Sequence, residues 1–504
     1  MMLLSEILKD CPIKSLSGPE TVEITGLCFD SRQVQPGCGF FALGGLVHDG
    51  HAFVAEAVQR GARAVISERE CTLPEGRAGV VVANARQTMA IAARNYYDDP
   101  TEDMPVVGVT GTNGKTTVSY LLETILQRAG LTPAVVGTVD YRYRDQQHPA
   151  PYTTPEAPEL LAHIADFRRQ GARSLVLEVS SHALDQYRVD GLHFRVGVFT
   201  NLTPEHLDYH HDMDRYFQSK CRLFQELLSR DGGRAVVNIS DPYGERLVQQ
   251  VSGALTCGRT RSAAVHPLQL EVNLAGIRGR VQTPEGPIQV VSPLLGEYNV
   301  ENLLCAVAAA IALQLPVSAI EAGLTTAPQV PGRLEKVDNA RDAVILVDYA
   351  HTGDALKRVL EAMQALRPGR LLTVFGCGGD RDPGKRPVMG EVAGRFSDIA
   401  LVTSDNPRTE DPLKIIEDVK RGLARVHARE WTLAEARKAE SPGYLVIPDR
   451  RQAIRTAVSL LQAGDLLLVA GKGHEDYQIL GTKRIHFDDR EELRLALAAG
   501  GSHE

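Results

Sequence analysis

The chain has 504 residues, of which 43% are hydrophobic and 23% are charged. This length suggests about three domains, and this composition is ordinary for a globular protein in water. The formal net charge of −8 argues against nucleic acid as the main partner. The sequence has no long apolar run and no secretory leader at Met1, so we expect a cytoplasmic protein that is not inserted in a membrane.

The first hundred or so residues alternate strand-like runs with a helical segment and end in a polar linker at 98–105. Buried-strand patterns then alternate with helical segments, for example around 174–179 and 196–200, which predicts a doubly wound, mostly parallel sheet. Residues 265–295 alternate apolar with polar residues and turn glycines, which indicates an antiparallel ribbon. A helix rich in Ala and Leu follows over 299–314.

A second linker, 327–333, precedes a series of strand candidates that end in polar or glycine-containing loops, where open α/β sheets place their ligands. These candidates begin at Val344, Leu371, Ile399, Tyr444 and Leu466. The sequence therefore predicts an α/β protein of three domains. They are a small α/β N-terminal domain over 1–103, a central P-loop domain with the mostly parallel sheet and the ribbon over 104–330, and a Rossmann-like α/β domain over 331–504.

The P-loop prediction depends on the segment Gly111-Thr-Asn-Gly-Lys-Thr-Thr117, which joins an apolar run to a segment with helical spacing. Backbone N–H groups and the positive end of the helix hold phosphate oxygens, Lys115 adds a positive charge, and Thr116 can ligate Mg²⁺. The standard pattern has a glycine where this chain has Val109. A glycine-rich turn without a ligand is the alternative, but it leaves the Lys-Thr-Thr sequence unexplained, and we predict a nucleotide site.

Two strand ends in the central domain carry candidate metal ligands. Glu178 follows an apolar strand, and a carboxylate in this position beside a P-loop can hold Mg²⁺ directly or through water. His206 lies in a loop rich in histidine and acidic residues, where a second metal is one interpretation and a merely polar loop is the other. Lys220 lies on an amphipathic helix, and its pattern alone predicts a surface lysine.

The C-terminal domain has two loops with unusual chemistry. Arg381 lies in the glycine-rich loop 376–386, and Arg408 lies in the loop 404–410. Each guanidinium can bind a carboxylate through two parallel hydrogen bonds, although a solvated arginine is the common alternative. Glu475 follows the last strand of the series and can accept a hydrogen bond from a substrate ammonium.

Taken together and in order, several motifs resemble the Mur ligase family. They are Asp30-Ser-Arg32, Gly111-Thr-Asn-Gly-Lys-Thr-Thr117, Glu178-Val-Ser-Ser-His182, Asn201-Leu-Thr-Pro-Glu-His206, Gly296-Glu-Tyr-Asn-Val-Glu-Asn302, Pro331-Gly-Arg-Leu-Glu335, Asp348-Tyr-Ala-His351 and Gly471-Lys-Gly-His-Glu475. The similarity covers nearly the whole chain. It implies an ATP-dependent ligase that makes an amide bond through an acyl phosphate, and the nearest resemblance is to members that add meso-diaminopimelate to the D-Glu γ-carboxylate of UDP-N-acetylmuramoyl-L-Ala-D-Glu.

The resemblance also implies where each substrate binds. The implied ATP-binding residues are Gly111, Thr112, Asn113, Gly114, Lys115, Thr116, Thr117, Asn299, Asn302, Arg333 and Asp348. The implied residues for the UDP-linked substrate are Phe29, Ser31, Leu46, Val47, His48, Thr153, Thr154, Ser180, Gln186 and Arg188.

Metal binding and catalysis are implied in the same way. Thr116 and Glu178 align with ligands of a first Mg²⁺, and His206 aligns with a ligand of a second. Lys220 aligns with the lysine that is carbamylated in the family, so that CO₂ would turn its amine into a carboxylate able to help hold that metal. Catalytic roles then belong to Lys115, Glu178, His206 and Lys220.

The amino-acid site is implied by the tetrad Asp405-Asn-Pro-Arg408. Its residues are Arg381, Asp405, Asn406, Pro407, Arg408, Gly471 and Glu475. Lysine-adding relatives lack the arginine, and lysine has no second carboxylate to pair with it. A lysine-adding ligase, a folylpolyglutamate-synthetase-like ligase and, outside this class, a P-loop ATPase doing conformational work stay open as alternatives. We expect a monomer whose partners are small-molecule substrates.

Overall fold

The computed structural model describes residues 1–45, 49–229, 232–367, 369–438 and 441–500. It confirms an α/β fold with three larger sheets, each formed by a different stretch of the chain. Among these residues, every helix is too short or too polar to cross a membrane. The chain forms two compact units, of which the first comprises 1–267, 282–288 and 303–324 and the second comprises 268–281, 289–302 and 325–504.

A small sheet with flanking helices occupies the N-terminal region. Its elements are β1 (Met2–Leu3), α1 (Leu4–Ile7), β2 (Ile13–Ser17), β3 (Glu23–Ile24), β4 (Leu27–Cys28), β5 (Gly39–Phe41), α2 (Val54–Gln59), β6 (Ala64–Ser67), β7 (Ala78–Val82) and α3 (Ala85–Tyr96). The main sheet has the order β2-β7-β6-β5-β4, and only the edge strand β2 is antiparallel to its neighbour. Phe40 and Phe41 on β5 are wholly buried on opposite faces, so the region has a core of its own.

The central region contains an eight-stranded sheet. Its elements are β8 (Val106–Thr110), α4 (Lys115–Arg128), β9 (Pro133–Val136), β10 (Asp140–Tyr143), β11 (Gln146–Pro149), α5 (Ala157–Arg169), β12 (Ser174–Glu178), α6 (Ser181–Asp185), β13 (Val196–Phe199), α7 (Leu207–His210), α8 (Met213–Gln225), β14 (Arg234–Asn238), α9 (Pro242–Val248) and β15 (Leu255–Cys257). The order is β11-β10-β9-β12-β8-β13-β14-β15, with parallel pairing from β9 through β15. Because β8 lies between β12 and β13, the loops that follow these three strands share one edge of the sheet.

The predicted ribbon and helix follow the central sheet. They consist of β16 (His266–Asn273), β17 (Gly276–Thr283), β18 (Gly286–Ser292), α10 (Tyr298–Ala312) and α11 (Val317–Thr325). The three strands form one sheet in chain order, and connections this short join antiparallel neighbours. The ribbon that was predicted from alternation is therefore confirmed.

The C-terminal region forms a seven-stranded sheet. Its elements are β19 (Glu335–Lys336), β20 (Val344–Asp348), α12 (Gly353–Leu366), β21 (Leu371–Cys377), α13 (Lys385–Phe396), β22 (Ile399–Ser404), α14 (Pro412–Arg425), β23 (Arg429–Glu430), α15 (Leu433–Ala436), β24 (Gly443–Val446), α16 (Arg450–Leu460), β25 (Leu466–Ala470), β26 (Tyr477–Leu480), β27 (Lys483–His486) and α17 (Asp489–Gly500). The sheet has the order β19-β20-β25-β21-β22-β24-β23, and only β19 is antiparallel. All five strand candidates of this region are confirmed, whereas the boundaries of the three domains stay predictions.

Candidate active site

The loop between β8 and α4 forms a closed turn at the N-terminus of the helix. Gly111 and Gly114 have φ angles of +147° and +90°, in the region that favours glycine. A Cβ atom at Gly111 would lie 1.9 Å from Thr200 Oγ1, so a larger residue does not fit. Lys115 Nζ donates to the carbonyls of Gly111 and Thr112, both at 2.9 Å. The loop therefore carries a positive charge beside the N-terminus of α4, as phosphate binding requires.

A buried carboxylate lies next to this loop. Thr116 Oγ1 donates to Glu178 Oε2 at 3.1 Å, and Thr138 donates to Glu178 through its N–H at 3.1 Å and its Oγ1 at 2.8 Å. Glu178 is 1% exposed. Within the described ranges, no three His, Cys, Asp or Glu side chains are arranged to hold a metal by themselves. One hydroxyl and one carboxylate beside a phosphate loop nevertheless fit Mg²⁺, which takes few protein oxygens and completes its shell with phosphates and water.

Lys220 on α8 is a buried lysine of the same region. It is 1% exposed, and its Nζ donates to the Gly111 carbonyl at 2.9 Å. Burial and then the charge of Lys115 lower the pKa of Lys220 well below 10.5, against an opposing effect of Glu205. The surface position that the helical pattern indicated is therefore wrong, because α8 turns this side chain toward the P-loop. A neutral amine is the nucleophilic form of lysine.

Three histidines lie near this lysine. The rings of His182 and His206 are 4.8 Å apart, and those of His182 and His210 are 5.4 Å apart. Burial, with neighbouring positive groups, lowers the pKa of His182 and of His210 to about 4 and also lowers the pKa of His206. Lys115 and Lys220 both contribute to the shift at His206. A neutral imidazole is the form that binds metals, so His206 fits the predicted second metal.

Five of the predicted residues for the UDP-linked substrate form a connected group beside Glu178. They are Thr153, Thr154, Ser180, Gln186 and Arg188. Thr154 Oγ1 donates to the Glu178 carbonyl at 2.8 Å and accepts from the Ser180 N–H at 3.1 Å. Arg188 donates to the Thr154 carbonyl at 2.9 Å and to Gln186 Oε1 at 2.7 Å. Thr153 Oγ1 lies 3.1 Å from the hydroxyl of Thr138, which itself contacts Glu178.

The remaining predicted residues for this substrate belong to the N-terminal region. Ser31 opens a 3₁₀ turn, and its Oγ donates to Glu56 Oε2 at 2.8 Å. Phe29 is half-buried against the N-terminal core. Leu46, Val47 and His48 lie outside the described residues.

Glu156 connects the N-terminal region to this group. Its Oε1 lies 3.4 Å from Arg86 Nη1 on α3 and 3.1 Å from Arg188 Nε. The side chain of Glu156 is 13% exposed, so both ion pairs are shielded from water. The N-terminal helix and a predicted substrate residue are therefore held by the same carboxylate.

In the second unit, the predicted amino-acid residues come from loops after β21, β22 and β25. Arg408 Nη1 donates to the Gly379 carbonyl at 2.7 Å, and a Cβ built on Gly378 would lie 3.0 Å from this nitrogen. Asn406 Nδ2 donates to Glu475 Oε2 at 3.1 Å. A Cβ on Gly471 would lie 3.6 Å from Asp405 Oδ2. Pro407 joins Asn406 to Arg408 in the chain, and the exposed Arg381 lies next to Gly378. All seven predicted residues therefore lie at one edge of the sheet.

The predicted ATP-binding residues outside the P-loop also lie in the second unit. Asn299 and Asn302 are buried near the N-terminus of α10, where Asn302 Nδ2 donates to Asn299 Oδ1 at 2.7 Å. Arg333 lies over the Tyr349 ring, with 4.8 Å between its Cζ and the ring centroid. Burial raises the pKa of Asp348, which accepts hydrogen bonds from two backbone N–H groups, at Leu334 and Ala350.

Three family models match the chain in order. The Mur ligase family catalytic domain matches residues 23–97, the Mur ligase middle domain matches 109–310, and the Mur ligase glutamate ligase domain matches 332–473. The chain belongs to the Mur ligase family. The prediction of the family from its motifs is therefore confirmed, and the protein is a ligase.

Relatives of this Mur ligase carry a more specific name. A UDP-N-acetylmuramoyl-L-alanyl-D-glutamate–2,6-diaminopimelate ligase of Geobacter metallireducens is 50% identical over 98% of each chain. The ligase of the same name from Geobacter sulfurreducens is 48% identical over the full length of both. A solved structure of a ligase with this name is 34% identical, has a TM-score of 0.70 and covers 99% of both chains.

The structure of this Mur ligase also shows residues that the sequence patterns did not single out. Thr138 donates a hydrogen bond to Glu178, and Glu156 forms an ion pair with Arg188. Lys472 contacts three side chains at the amino-acid site. A signal was present for Lys472, because it stands between two glycines directly after a buried strand. Thr138 follows strand β9, and Glu156 follows the segment Thr153-Thr-Pro155. Neither pattern predicts a functional residue.

Proposed function

We propose that this Mur ligase joins meso-diaminopimelate to the γ-carboxylate of D-Glu in UDP-N-acetylmuramoyl-L-Ala-D-Glu, using ATP, in the synthesis of a peptidoglycan precursor. The observation that carries the proposal is the group at the edge of the C-terminal sheet, where Asp405, Asn406 and Arg408 share the loop after β22 and Asn406 donates to Glu475. The names of relatives that are up to 50% identical over nearly the full length support it.

The P-loop supports the first chemical step. The γ-carboxylate of D-Glu attacks the γ-phosphorus of ATP, the bond to ADP breaks, and an acyl phosphate forms. Lys115 and the N-terminus of α4 stabilise the negative charge of the transferring group, and fixed positions of the reactants lower the barrier further. Thr154, Ser180 and Arg188 form a group beside Glu178, so a substrate bound to them would lie near the P-loop.

Thr116 and Glu178 would hold a first Mg²⁺, and His206 with a carbamylated Lys220 would hold a second. A bound magnesium ion supplies positive charge that balances the phosphate oxygens during transfer. Carbamylation joins the Lys220 nitrogen to the carbon of CO₂ and releases a proton, which needs a neutral amine. The lowered pKa of Lys220 favours this amine and supports the proposed modification.

The second step uses the amine of diaminopimelate, which attacks the acyl carbon and expels phosphate. The far end of this substrate has both a carboxylate and an ammonium. Arg408 can pair with the carboxylate, and Glu475 or Asp405 can accept from the ammonium. Lysine has no such carboxylate, so its binding would leave a partly buried guanidinium without an anionic partner.

The test is phosphate release with UDP-N-acetylmuramoyl-L-Ala-D-Glu, ATP and Mg²⁺, in parallel with meso-diaminopimelate, L-lysine and no amine. We expect release only with diaminopimelate, and a tripeptide product of matching mass. Release with lysine would contradict the assigned amino acid while keeping the ligase reaction. Release without any amine would contradict the ligase proposal and favour an ATPase.

Because the proposed substrates are ATP and a UDP-linked sugar peptide, we place the enzyme in the cytoplasm. We expect it to act as a monomer.

A further inference from the structure

Lys472 is a buried lysine within the motif 471–475, and neither the resemblance nor the proposed reaction assigns it a role. It follows the buried strand β25 and lies between Gly471 and Gly473, whose φ angles of +119° and +55° let the chain turn sharply. Its side chain is 0% exposed. A lysine with no access to water needs internal partners, since a buried charge without them is very unfavourable.

Three side chains surround the Lys472 nitrogen. Nζ lies 3.3 Å from Asp405 Oδ1, 3.2 Å from Asn406 Oδ1 and 3.5 Å from Glu475 Oε2. An ammonium has three N–H donors, so the three acceptors match its full capacity. Nζ also lies 5.5 Å from the centroid of the Tyr477 ring, within range of a cation–π interaction.

The same three acceptors belong to the proposed amino-acid site. Asn406 is fixed from both ends, because its Oδ1 accepts from Lys472 and from the Ile479 N–H at 3.0 Å while its Nδ2 donates to Glu475 at 3.1 Å. Lys472 thus contacts Asp405, Asn406 and Glu475 together. Its removal would release all three from their present positions.

Charge balance leads to the same conclusion. Asp405 and Glu475 are two carboxylates, and Lys472 offsets one of them, which leaves one negative charge for one substrate ammonium. Arg450, another buried cation near this site, is already held by Asp489 through two hydrogen bonds of 2.7 Å. Burial and the charge of Asp405 raise the pKa of Glu475, which is the repulsion that Lys472 reduces.

We propose that Lys472 is a positioning residue that fixes and charge-balances the Asp405, Asn406 and Glu475 side chains, so that they bind the ammonium of the amino-acid substrate. The proposal rests on the proposed function, because it assigns Lys472 a role within that site. Lys472 does not contact the reacting atoms. It acts through the three side chains that it holds.

The experiment compares Lys472→Met with wild type in steady-state kinetics. We expect the KM for diaminopimelate to rise at least about tenfold, because two buried carboxylates then face each other without a cation. The KM values for ATP and for the UDP-linked substrate stay within about twofold, since the three side chains that Lys472 holds belong to the predicted amino-acid site. Lys483→Met is the matched control, because Lys483 is exposed on β27, and it should behave as wild type.

A charge-balanced double variant separates positioning from a general structural role. Lys472→Met combined with Asp405→Asn removes one positive and one negative charge, and we expect it to recover part of the affinity lost in the single variant. Lys472→Gln keeps a hydrogen-bond donor without the charge, and serves as the second variant if Lys472→Met does not fold. An unchanged KM for the amine in Lys472→Gln or Lys472→Met would overturn the proposal. Equal increases in all three KM values together with a lower melting temperature would also overturn it.

The wild-type measurement distinguishes this proposal from the proposed function. If wild type shows no turnover that depends on an amine, the proposed function is wrong and the site does not bind an amine. If wild type prefers a different amine, the comparison of variants is made with that amine. If wild type uses diaminopimelate and the variants keep its KM, only the role of Lys472 is wrong.

Discussion

Lys220 in the first unit and Lys472 in the second are both buried lysines, but the charged groups nearest to them differ in sign. Lys220 donates to a backbone carbonyl and lies near the positive Lys115, whereas Lys472 lies among Asp405, Asn406 and Glu475. Burial by itself therefore does not decide what a lysine does. Burial, reinforced by the charge of Lys115, lowers the pKa of Lys220 and favours a reactive amine, whereas carboxylate neighbours make Lys472 a fixed ion-pair partner.

The largest expected effect is on the reactive lysine. Lys220→Ala should lower kcat by roughly 10²–10³-fold without unfolding the protein, because the carbamate that would help hold the second Mg²⁺ is lost, and with it positive charge that would stabilise the transition state. A short carboxylic acid such as propionate, added to this variant, should restore part of the rate if a carbamate is the working group. Steady-state phosphate release measures both effects. A fully active Lys220→Arg variant, which is unable to carry a carbamate in this position, would contradict the prediction.

A third buried cation tests whether ion pairs stabilise the second unit. The Arg450 and Asp489 side chains are both 0% exposed, so Arg450→Met leaves a buried carboxylate without its partner. We expect the free energy of unfolding to fall by about 3–5 kcal/mol. Trp431, the only tryptophan of the chain, packs in the same core as α16, so its fluorescence in a urea titration reports this unit.

The control for this prediction is the next residue. Arg451 is 50% exposed and pairs with Glu492 at 2.8 Å, so Arg451→Met should cost at most about 1 kcal/mol. Equal losses of unfolding free energy in the two variants would show that the buried Arg450–Asp489 pair stabilises the protein no more than the Arg451–Glu492 pair does.

A smaller effect is expected at the amino-acid site. Arg408→Ala should raise the KM for diaminopimelate by about 30-fold, because the carboxylate of the substrate loses its charged partner, while the KM for ATP stays the same. Arg421→Ala is a control, since Arg421 is 72% exposed on α14. If Arg408→Ala binds diaminopimelate as tightly as wild type does, Arg408 does not belong to the site.

The smallest effect concerns the histidines near Lys220. His182 and His210 have pKa values of about 4 in the folded protein, below the ordinary 6.5, because burial and positive neighbours disfavour their charged forms. Between pH 6.5 and 4, the unfolded chain binds protons that the folded protein does not, so stability falls as the pH falls. Calorimetric melting of wild type and His182→Gln at several pH values measures this dependence. The variant should lose less stability on acidification, and an equal loss in both would contradict the assignment.

The sequence predicted the strands well because each is a short apolar run that can be buried on both faces of a parallel sheet. It also predicted the ribbon, where the apolar residues alternate instead. Arg386 shows the limit of this reasoning. It stands in the glycine-rich loop where a ligand was expected, yet its side chain is 3% exposed and is paired with Glu410 and Asp418.

The sequence by itself determined the α/β class, the P-loop and the family, because these depend on local spacing and on motifs that stay contiguous in the chain. Only the tertiary structure decided the states of the two lysines. The groups that contact Lys220 and Lys472 come from residues that are up to 109 and 67 positions away in the chain, and hydrophobic burial of the strands and helices brings them together. Local patterns do not record such distant neighbours, and these neighbours set the electrostatics on which reactivity depends.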